Sequence, residues 1–227
     1  MSGYVPTQGS RERILVSDFD GTLTRFDFYD LACRRYPAIA GDHWQRYEAG
    51  ELSHFEALRR IFAGLRAPEP EITAILREMQ LEPRLGEALR LLDGSGWKVQ
   101  VASAGCDWYI RRLLADAGVA LEVHANPGTY SPEGGLAMRL PEPSPFFSSQ
   151  LGVNKVAVVR EALRVSDTVA FAGDGRPDLA PALLVRPELR FARSWLARRL
   201  GEIGEPFPPF DSWFDVAAAL ARPGARP

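Results

Sequence analysis

The sequence is poor in cysteine and histidine and has no long apolar run. Its two cysteines, Cys33 and Cys106, have neither CxxC spacing nor a paired histidine motif, and the three histidines show no metal-ligand spacing. No apolar run approaches the roughly 20 residues that span a bilayer. The first residues, MSGYVPTQGSRER, lack the apolar stretch of a secretory signal. These absences predict a cytoplasmic protein with reduced thiols and no membrane contact.

An excess of charge of one sign is also absent. Lysine and arginine number 27 against 29 aspartates and glutamates, and the arginines are scattered rather than gathered into one block. This balance argues against a nucleic-acid partner, because such proteins carry a basic patch. The chain does have 46% apolar residues in 227 positions, which is enough for one large domain or for a domain with an insertion.

Helix and strand patterns alternate along most of the chain. Short apolar runs typical of buried strands occur at residues 13–17, 98–102 and 168–172. Apolar stripes at helical spacing separate these runs, for example at residues 107–117 and 155–163. Such alternation predicts a parallel sheet that is covered by helices.

One long stretch lacks strand signals. Residues 26–81 show apolar stripes at helical spacing, and Ser53 with Glu56 has the spacing of a capping box at a helix start. This stretch interrupts the alternation directly after the first strand. We therefore predict a helical insertion at 26–81 in an α/β core that is formed by residues 1–25 and 82–227.

Two carboxylates follow the first predicted strand. Asp18 and Asp20 are two residues apart, and side chains with that spacing on a strand point to the same face. They would face one point beyond the carboxyl end of the strand, where open α/β sheets bind ligands. A hard cation such as Mg²⁺ would relieve their repulsion, and one carboxylate could act as a nucleophile. By itself, however, such a pair is more often solvated surface.

Further polar residues follow the other predicted elements. V-A-S-A-G-C places Ser103 and Gly105 before a predicted helix, whose first N–H groups would bind an anion, although a helix N-cap is the alternative for Ser103. G-V-N-K places Lys155 at a helix start, where a solvated lysine is the alternative. G-D-G-R-P-D places Asp174 and Asp178 after a strand, where a simple turn is the alternative.

Taken in order, these segments resemble the four motifs of the haloacid dehalogenase-like hydrolase superfamily. The segment Asp18-Phe19-Asp20-Gly21-Thr22-Leu23-Thr24 closely resembles the first motif. The resemblance implies an α/β fold, in which a Rossmann-like parallel sheet has helices on both faces and a small helical cap after the first strand. It also implies a magnesium-dependent phosphatase with an aspartyl-phosphate intermediate, in which Asp18 is the nucleophile and Asp20 is the acid and base.

The resemblance assigns roles to the remaining motif residues as well. The phosphate-binding residues would be Ser103, Ala104, Gly105 and Lys155. The magnesium ligands would be Asp18, Asp20 through its main-chain carbonyl, Asp174 and Asp178. For Asp178, the alternatives are a direct ligand, a ligand through water, or a residue that holds Lys155 in place.

The position of the insertion narrows the resemblance to the phosphoserine phosphatase branch. Within it, S-A-G-C-D-W-Y-I-R-R-L-L and Asn126 are similar to the methionine-salvage hydroxyketo-methylthiopentenyl phosphatase group. Asp27 stands where phosphoserine phosphatases have an acid that contacts the substrate's amino group, with a helix N-cap or a solvated acid as equal alternatives. Pro177 stands where those enzymes usually carry Asn. This departure favours a related small phosphate ester over phosphoserine itself.

Several functional alternatives stay open at this level. A phosphotransferase would pass the phosphoryl group to an alcohol, and a silent binding module would hold a phosphorylated ligand without turnover. Arg59 and Arg60 would either contact an acidic group of the substrate or lie on a solvated helix face. The expected partner is a small phosphorylated metabolite rather than nucleic acid or a membrane. A homodimer is an open alternative to a monomer, because cap-bearing relatives often dimerise.

Overall fold

A five-stranded parallel sheet lies at the centre of the computed structural model, which describes residues 12–222. The strands are β1 (Arg13–Ser17), β2 (Trp97–Cys106), β3 (Glu122–Asn126), β4 (Gly128–Ser131), β5 (Gly135–Met138), β6 (Phe147–Ser148), β7 (Gly152–Val153), β8 (Val169–Gly173) and β9 (Arg190–Ala192). The large sheet has the order β3-β2-β1-β8-β9, and β4 with β5 and β6 with β7 form antiparallel pairs. The predicted parallel α/β core is confirmed.

The helices lie on both faces of this sheet and in an insertion after β1. They are α1 (Phe28–Arg35), α2 (His43–Glu48), α3 (His54–Ala63), α4 (Glu69–Glu78), α5 (Leu85–Gly94), α6 (Asp107–Asp116), α7 (Lys155–Val165), α8 (Leu179–Ala182), α9 (Ser194–Glu202) and α10 (Trp213–Leu220). Helices α1 to α4 form the insertion, which confirms the predicted helical cap. Ser53 caps α3 as its spacing predicts, because its hydroxyl accepts a hydrogen bond from the N–H of Glu56 at 3.1 Å.

The cap boundaries at 26–81 stay a prediction, and residues 1–11 and 223–227 of the predicted core lie outside the described residues. No helix within residues 12–222 is both long and apolar enough to cross a membrane.

Alternating side chains of the central strands pack on opposite faces of the sheet. Leu15 of β1 and Ala170 of β8 belong to an apolar cluster with α5, α6, α10 and the cap helices. Val16 and Phe171, their neighbours in sequence, belong to a second cluster with α7 and α9. All four side chains are fully buried. Because both faces are covered, the central strands are apolar throughout, which explains their continuous apolar runs in the sequence.

The cap helices share the first apolar cluster with the sheet. Phe28, the first residue of α1, stacks on Tyr109 of α6 with ring centroids 4.5 Å apart. Its ring also meets Phe62 of α3 edge-on at 5.3 Å. Apolar packing is therefore continuous from the core to the cap, and it keeps the cap over the carboxyl ends of the strands.

Candidate active site

The carboxyl ends of β1, β2 and β8 meet beneath the cap. Ser17 at the end of β1 pairs with Val101 of β2 and with Ala172 of β8, so the residues that follow these strands converge. A cavity of about 350 Å³ lies at this point, which is the size of a small-molecule site. The nine residues to which the family resemblance gives a site role line this cavity: Asp18, Asp20, Asp27, Ser103, Ala104, Gly105, Lys155, Asp174 and Asp178.

Lys155 joins two of the carboxylates. Its Nζ lies 2.6 Å from Oδ1 of Asp18 and 2.7 Å from Oδ1 of Asp178. Burial favours the neutral amine, but the charges of Asp178 and Asp18 outweigh burial and raise the pKa of Lys155 above its usual range. Asn154 caps α7 and so fixes Lys155 at the first position of the helix. The solvated alternative for Lys155 is wrong, because the residue is only 2% exposed.

Three carboxylates form a cluster that fits a divalent cation. One oxygen from each of Asp18, Asp174 and Asp178 lies within 4.8 Å of the other two. Burial, the charge of Asp18 and the charge of Asp178 together raise the pKa of Asp174 to about 9. Mg²⁺ prefers hard oxygen ligands, and its charge would offset the repulsion between the three carboxylates. These residues therefore fit that ion. Among residues 12–222, the cluster does not include the carboxylate of Asp20, which the family resemblance connects to the metal only through its main-chain carbonyl.

Asp178 has hydrogen-bond donors on both carboxylate oxygens. Oδ1 accepts from Lys155, and Oδ2 accepts from the N–H of Asp174 at 3.1 Å and of Gly175 at 2.8 Å. Among the alternatives for Asp178, this geometry matches the residue that holds Lys155 in place. It also holds the loop that carries Asp174.

Asp20 faces a different set of donors. The hydroxyl of Tyr109 donates to Oδ2 at 2.7 Å, the hydroxyl of Ser103 lies 3.4 Å from the same oxygen, and the N–H of Phe28 donates to Oδ1 at 3.3 Å. Burial raises the pKa of Asp20 to about 6, the hydrogen bond from Tyr109 opposes this rise, and the charge of Asp18 adds to it. A carboxyl group with a pKa close to neutrality can both give and accept a proton.

The helix predicted at residues 107–117 is α6, but the N–H groups of Ala104 and Gly105 do not open it as expected. Strand β2 continues through Cys106, and α6 begins only at Asp107, so Ser103 is not its N-cap either. The N–H of Gly105 donates to the hydroxyl of Ser103 at 2.9 Å instead of opening a helix.

Two features of the pairing with β3 explain why residues 103–106 are extended. The pairing of β2 with β3 shifts register between Ala102 and Cys106. In addition, the amide of Asn126 donates to the carbonyl of Ala104 at 2.7 Å, which holds the segment against β3. Asn126 is fully buried, so this side chain has a structural role next to the site.

Asp27 lies on the cap side of the cavity. It is the N-cap of α1, because its Oδ1 accepts from the N–H of Tyr29 at 2.6 Å. Burial, the charge of Asp20 and the charge of Asp30 raise the pKa of Asp27 to about 8. The N-cap alternative is therefore correct, and a contact between Asp27 and the substrate stays a prediction.

Arg59 and Arg60 contact a neighbour on their own helix. Their Nε atoms lie 2.7 Å and 2.6 Å from the carboxylate of Glu56, and neither arginine is among the residues that line the cavity. This arrangement agrees with the solvated-face alternative.

Two residues near the site were not singled out from the sequence. Tyr109 donates to Asp20, although its position in the apolar stripe of α6 gave no sign that it differs from a core aromatic. Arg193 donates to the carbonyls of Gly21 and Thr24, both at 2.6 Å, and so holds the turn after Asp20. Arg193 directly follows β9. The sequence pattern did not predict this three-residue strand, so it gave no signal for Arg193.

Gly21 allows that turn to approach the carboxylate cluster of Asp18, Asp174 and Asp178. Its φ is +68°, and a Cβ at this position would lie 2.5 Å from Oδ2 of Asp174. Only glycine fits such a conformation and distance. The close approach brings the segment after β1 against the loop after β8.

Comparisons with known proteins agree with this geometry. Curated relatives include the 2-hydroxy-3-keto-5-methylthiopentenyl-1-phosphate phosphatase of Geobacillus kaustophilus, which is 25% identical over 222 residues, or 94% of this chain and 97% of the relative. The bifunctional enzyme MtnB/MtnX of Bacillus licheniformis is 26% identical over 217 residues. That match covers 92% of this chain but 49% of the relative, so this chain spans about half the length of the bifunctional enzyme.

Solved structures show the same fold. A HAD family hydrolase from Salmonella enterica serovar Typhi matches with a TM-score of 0.69 and 20% identity over 95% of this chain and 73% of its own. A phosphoserine phosphatase with a phospho-aspartyl intermediate analogue matches with a TM-score of 0.64 and 15% identity over 92% of this chain and 99% of its own. The model of the haloacid dehalogenase-like hydrolase family matches residues 15–182, from β1 to the end of α8. Because this match covers most of the chain and all four motifs, the protein belongs to the haloacid dehalogenase-like hydrolase family.

Proposed function

We propose that the protein is a magnesium-dependent phosphatase, which hydrolyses the phosphate monoester of a small metabolite through an aspartyl-phosphate at Asp18. The observation that carries this proposal is the buried contact between Asp18 and Lys155, beside the carboxylates of Asp174 and Asp178, in a cavity of small-molecule size. The names of the curated relatives support a small phosphate monoester as the substrate class.

Asp18 carries the nucleophilic role in this proposal. Burial and the charge of Asp178 raise the pKa of Asp18 to about 7, and Lys155 opposes the rise. The contact with Lys155 therefore helps to keep the attacking oxygen ionised. Asp18, Asp174 and the main-chain carbonyl of Asp20 would hold Mg²⁺, with Asp178 as a further candidate. When bound, the ion supplies positive charge that offsets the repulsion between these carboxylates and the phosphate.

Asp20 moves the proton in both half-reactions. In the first, an oxygen of Asp18 bonds to phosphorus, the ester P–O bond breaks, and protonated Asp20 gives its proton to the departing oxygen. In the second, the carboxylate of Asp20 takes a proton from water, whose oxygen attacks phosphorus and releases Asp18. Ester and water are thus converted to alcohol and phosphate.

The rest of the site binds and orients the phosphate. Ser103, Lys155 and the extended segment at Ala104 and Gly105 surround the place where its oxygens would lie. Phosphate-monoester hydrolysis is so slow without a catalyst that the site must lower the barrier by about 20 kcal/mol. Positioning and charge compensation would supply most of this amount.

The test is phosphate release from an aryl phosphate by the wild type and by Asp18→Asn. The substitution keeps the shape of the side chain but removes the nucleophile, so we expect turnover to fall by at least about a thousandfold while the fold is retained. Asp93→Asn, at an exposed position of α5, is the matched control and should keep wild-type turnover. A chelator should abolish release by the wild type. Near-normal turnover by Asp18→Asn would refute the mechanism.

Two other functions would give different results in the same assay. A phosphotransferase would form a new phosphate ester when alcohols are added, which product analysis would detect. A silent binding module would release no phosphate even at high protein concentration. The complete set of candidate catalytic side chains in one cavity favours the phosphatase.

A further inference from the structure

The cap side of the cavity is built from aromatic side chains. Tyr29 stacks on Trp44 with ring centroids 4.8 Å apart, and Tyr47 lies 5.0 Å from Trp44. His54 meets Trp44 and Tyr47 edge-on at 5.7 and 5.3 Å. We call these four residues the aromatic wall. All four line the cavity and are only partly buried, although Tyr29 and Trp44 also pack against the first apolar cluster.

Two carboxylates lie beside the aromatic wall. Asp27 and Asp30, at the start of α1, line the same cavity. Burial raises the pKa of both, and the charge of Asp30 adds to the rise for Asp27. The exposed Arg34 opposes this effect at Asp30 but does not line the cavity. Helix α1 therefore presents two acidic groups to the cavity, and a cation beside them would favour their ionised, negative form.

Positive charge is scarce on this side of the site. Among the described residues that line the cavity, the lysines and arginines are Lys155, which is held by Asp18 and Asp178, and Arg176. Arg176 lies 3.9 Å from the carboxylate of Glu48, and its guanidinium group is 5.8 Å from the ring of Trp195.

His54 adds no positive charge to the wall. Burial and the charge of Lys155 lower the pKa of His54 to about 4. The aromatic wall and the proposed phosphate-binding residues line the same cavity. A second anionic group on the substrate would find little compensation there.

Resting on the proposed function, we infer that the substrate is the phosphate ester of a small amino alcohol with an alkylated ammonium head group. The head group would lie against the aromatic wall beside Asp27 and Asp30, while the phosphate lies at Asp18. Aromatic rings attract such cations through their negative faces, and carboxylates add a direct charge interaction. A phosphoserine-like ester would instead bring a carboxylate toward two acidic side chains.

The experiment compares choline phosphate with its neutral carbon isostere, 3,3-dimethylbutyl phosphate, in the presence of Mg²⁺. The two esters have nearly the same shape and differ in the charge of the head group. We expect the wild type to favour choline phosphate in kcat/KM by about tenfold. Asp30→Asn and Trp44→Leu should each reduce this preference by at least about threefold. The matched control Asp93→Asn should preserve it.

An aryl phosphate and phosphoserine complete the panel. They distinguish a failure of the inferred substrate class from a failure of the proposed phosphatase function. If the aryl phosphate is hydrolysed but the isostere is used as well as choline phosphate, or phosphoserine is preferred, this inference is overturned and the phosphatase stands. A preference for choline phosphate that both cap variants leave unchanged would also overturn the assignment to the aromatic wall. If no ester is hydrolysed, the proposed function fails, and this inference fails with it.

Discussion

Asp20 receives its shortest hydrogen bond from Tyr109. The O–H···O distance of 2.7 Å is ideal, whereas the donors on Ser103 and Phe28 are 3.4 and 3.3 Å away. Gly105 makes room for this contact, because a Cβ there would lie 1.9 Å from the hydroxyl of Tyr109. The orientation of Asp20, the proposed acid, therefore depends on the hydroxyl group of Tyr109 and on the absence of a Cβ at Gly105.

Replacement of Tyr109 by phenylalanine tests this dependence. The ring can still stack on Phe28, but Asp20 loses its closest donor. We expect kcat for alkyl phosphates to fall by about tenfold, since their alkoxides need a proton to leave. The loss for p-nitrophenyl phosphate should be smaller, because nitrophenolate leaves without protonation. Equal losses for both kinds of ester would instead assign Tyr109 a packing role.

At the scale of elements, the short edge strand β9 positions the turn after β1. Arg193 follows β9, and its guanidinium group donates to the carbonyls of Gly21, Thr24 and Asp211 at 2.6, 2.6 and 3.0 Å. Its planar fork of five donors spans several carbonyls in a fixed geometry, whereas the three donors of a lysine are all on one nitrogen. This single side chain joins β9, the turn after Asp20 and the segment before α10.

Variants of Arg193 should separate charge from geometry. In Arg193→Met, three carbonyls lose a charged donor, and we expect the free energy of unfolding to fall by about 2 to 3 kcal/mol. Turnover should fall as well, because the turn at Gly21 contacts Asp174. Arg193→Lys keeps the charge and should give an intermediate loss. Urea unfolding and phosphate release measure the two effects, and wild-type values for Arg193→Met would contradict the role of this residue.

At the scale of the whole molecule, the sequence predicts those parts of the fold and of the site that depend on local residue patterns. Asp18 and Asp174 follow β1 and β8, and Ser103 follows the apolar run predicted as a strand at residues 98–102, so their convergence could be expected before any coordinates. The contact of Tyr109 with Asp20 joins residues 89 positions apart, and that of Arg193 with Gly21 spans 172. Such contacts depend on tertiary packing, and so do the aromatic wall and the continuation of β2 to Cys106. No local pattern encodes them.

The whole cavity also links magnesium binding to pH. The pKa values of its carboxyl groups are raised to about 7 for Asp18, 6 for Asp20, 8 for Asp27 and 9 for Asp174, against 3.8 for an ordinary aspartate. Between about pH 4 and about pH 9, the folded, metal-free protein binds more protons than the unfolded chain. The contribution of these groups to the free energy of unfolding is therefore fully present below about pH 4 and is lost as the pH rises toward about 9.

Magnesium should reverse this trend, because it binds ionised carboxylates and displaces their protons. We expect saturating Mg²⁺ to raise the melting temperature, relative to a chelator, more at about pH 8 than at about pH 5.5. Asp174→Asn removes one carboxylate of the cluster and should reduce the magnesium-dependent increase at the higher pH. Thermal unfolding with and without the ion measures all of these differences. An increase of the same size at both pH values would mean that the ion does not bind at these carboxylates.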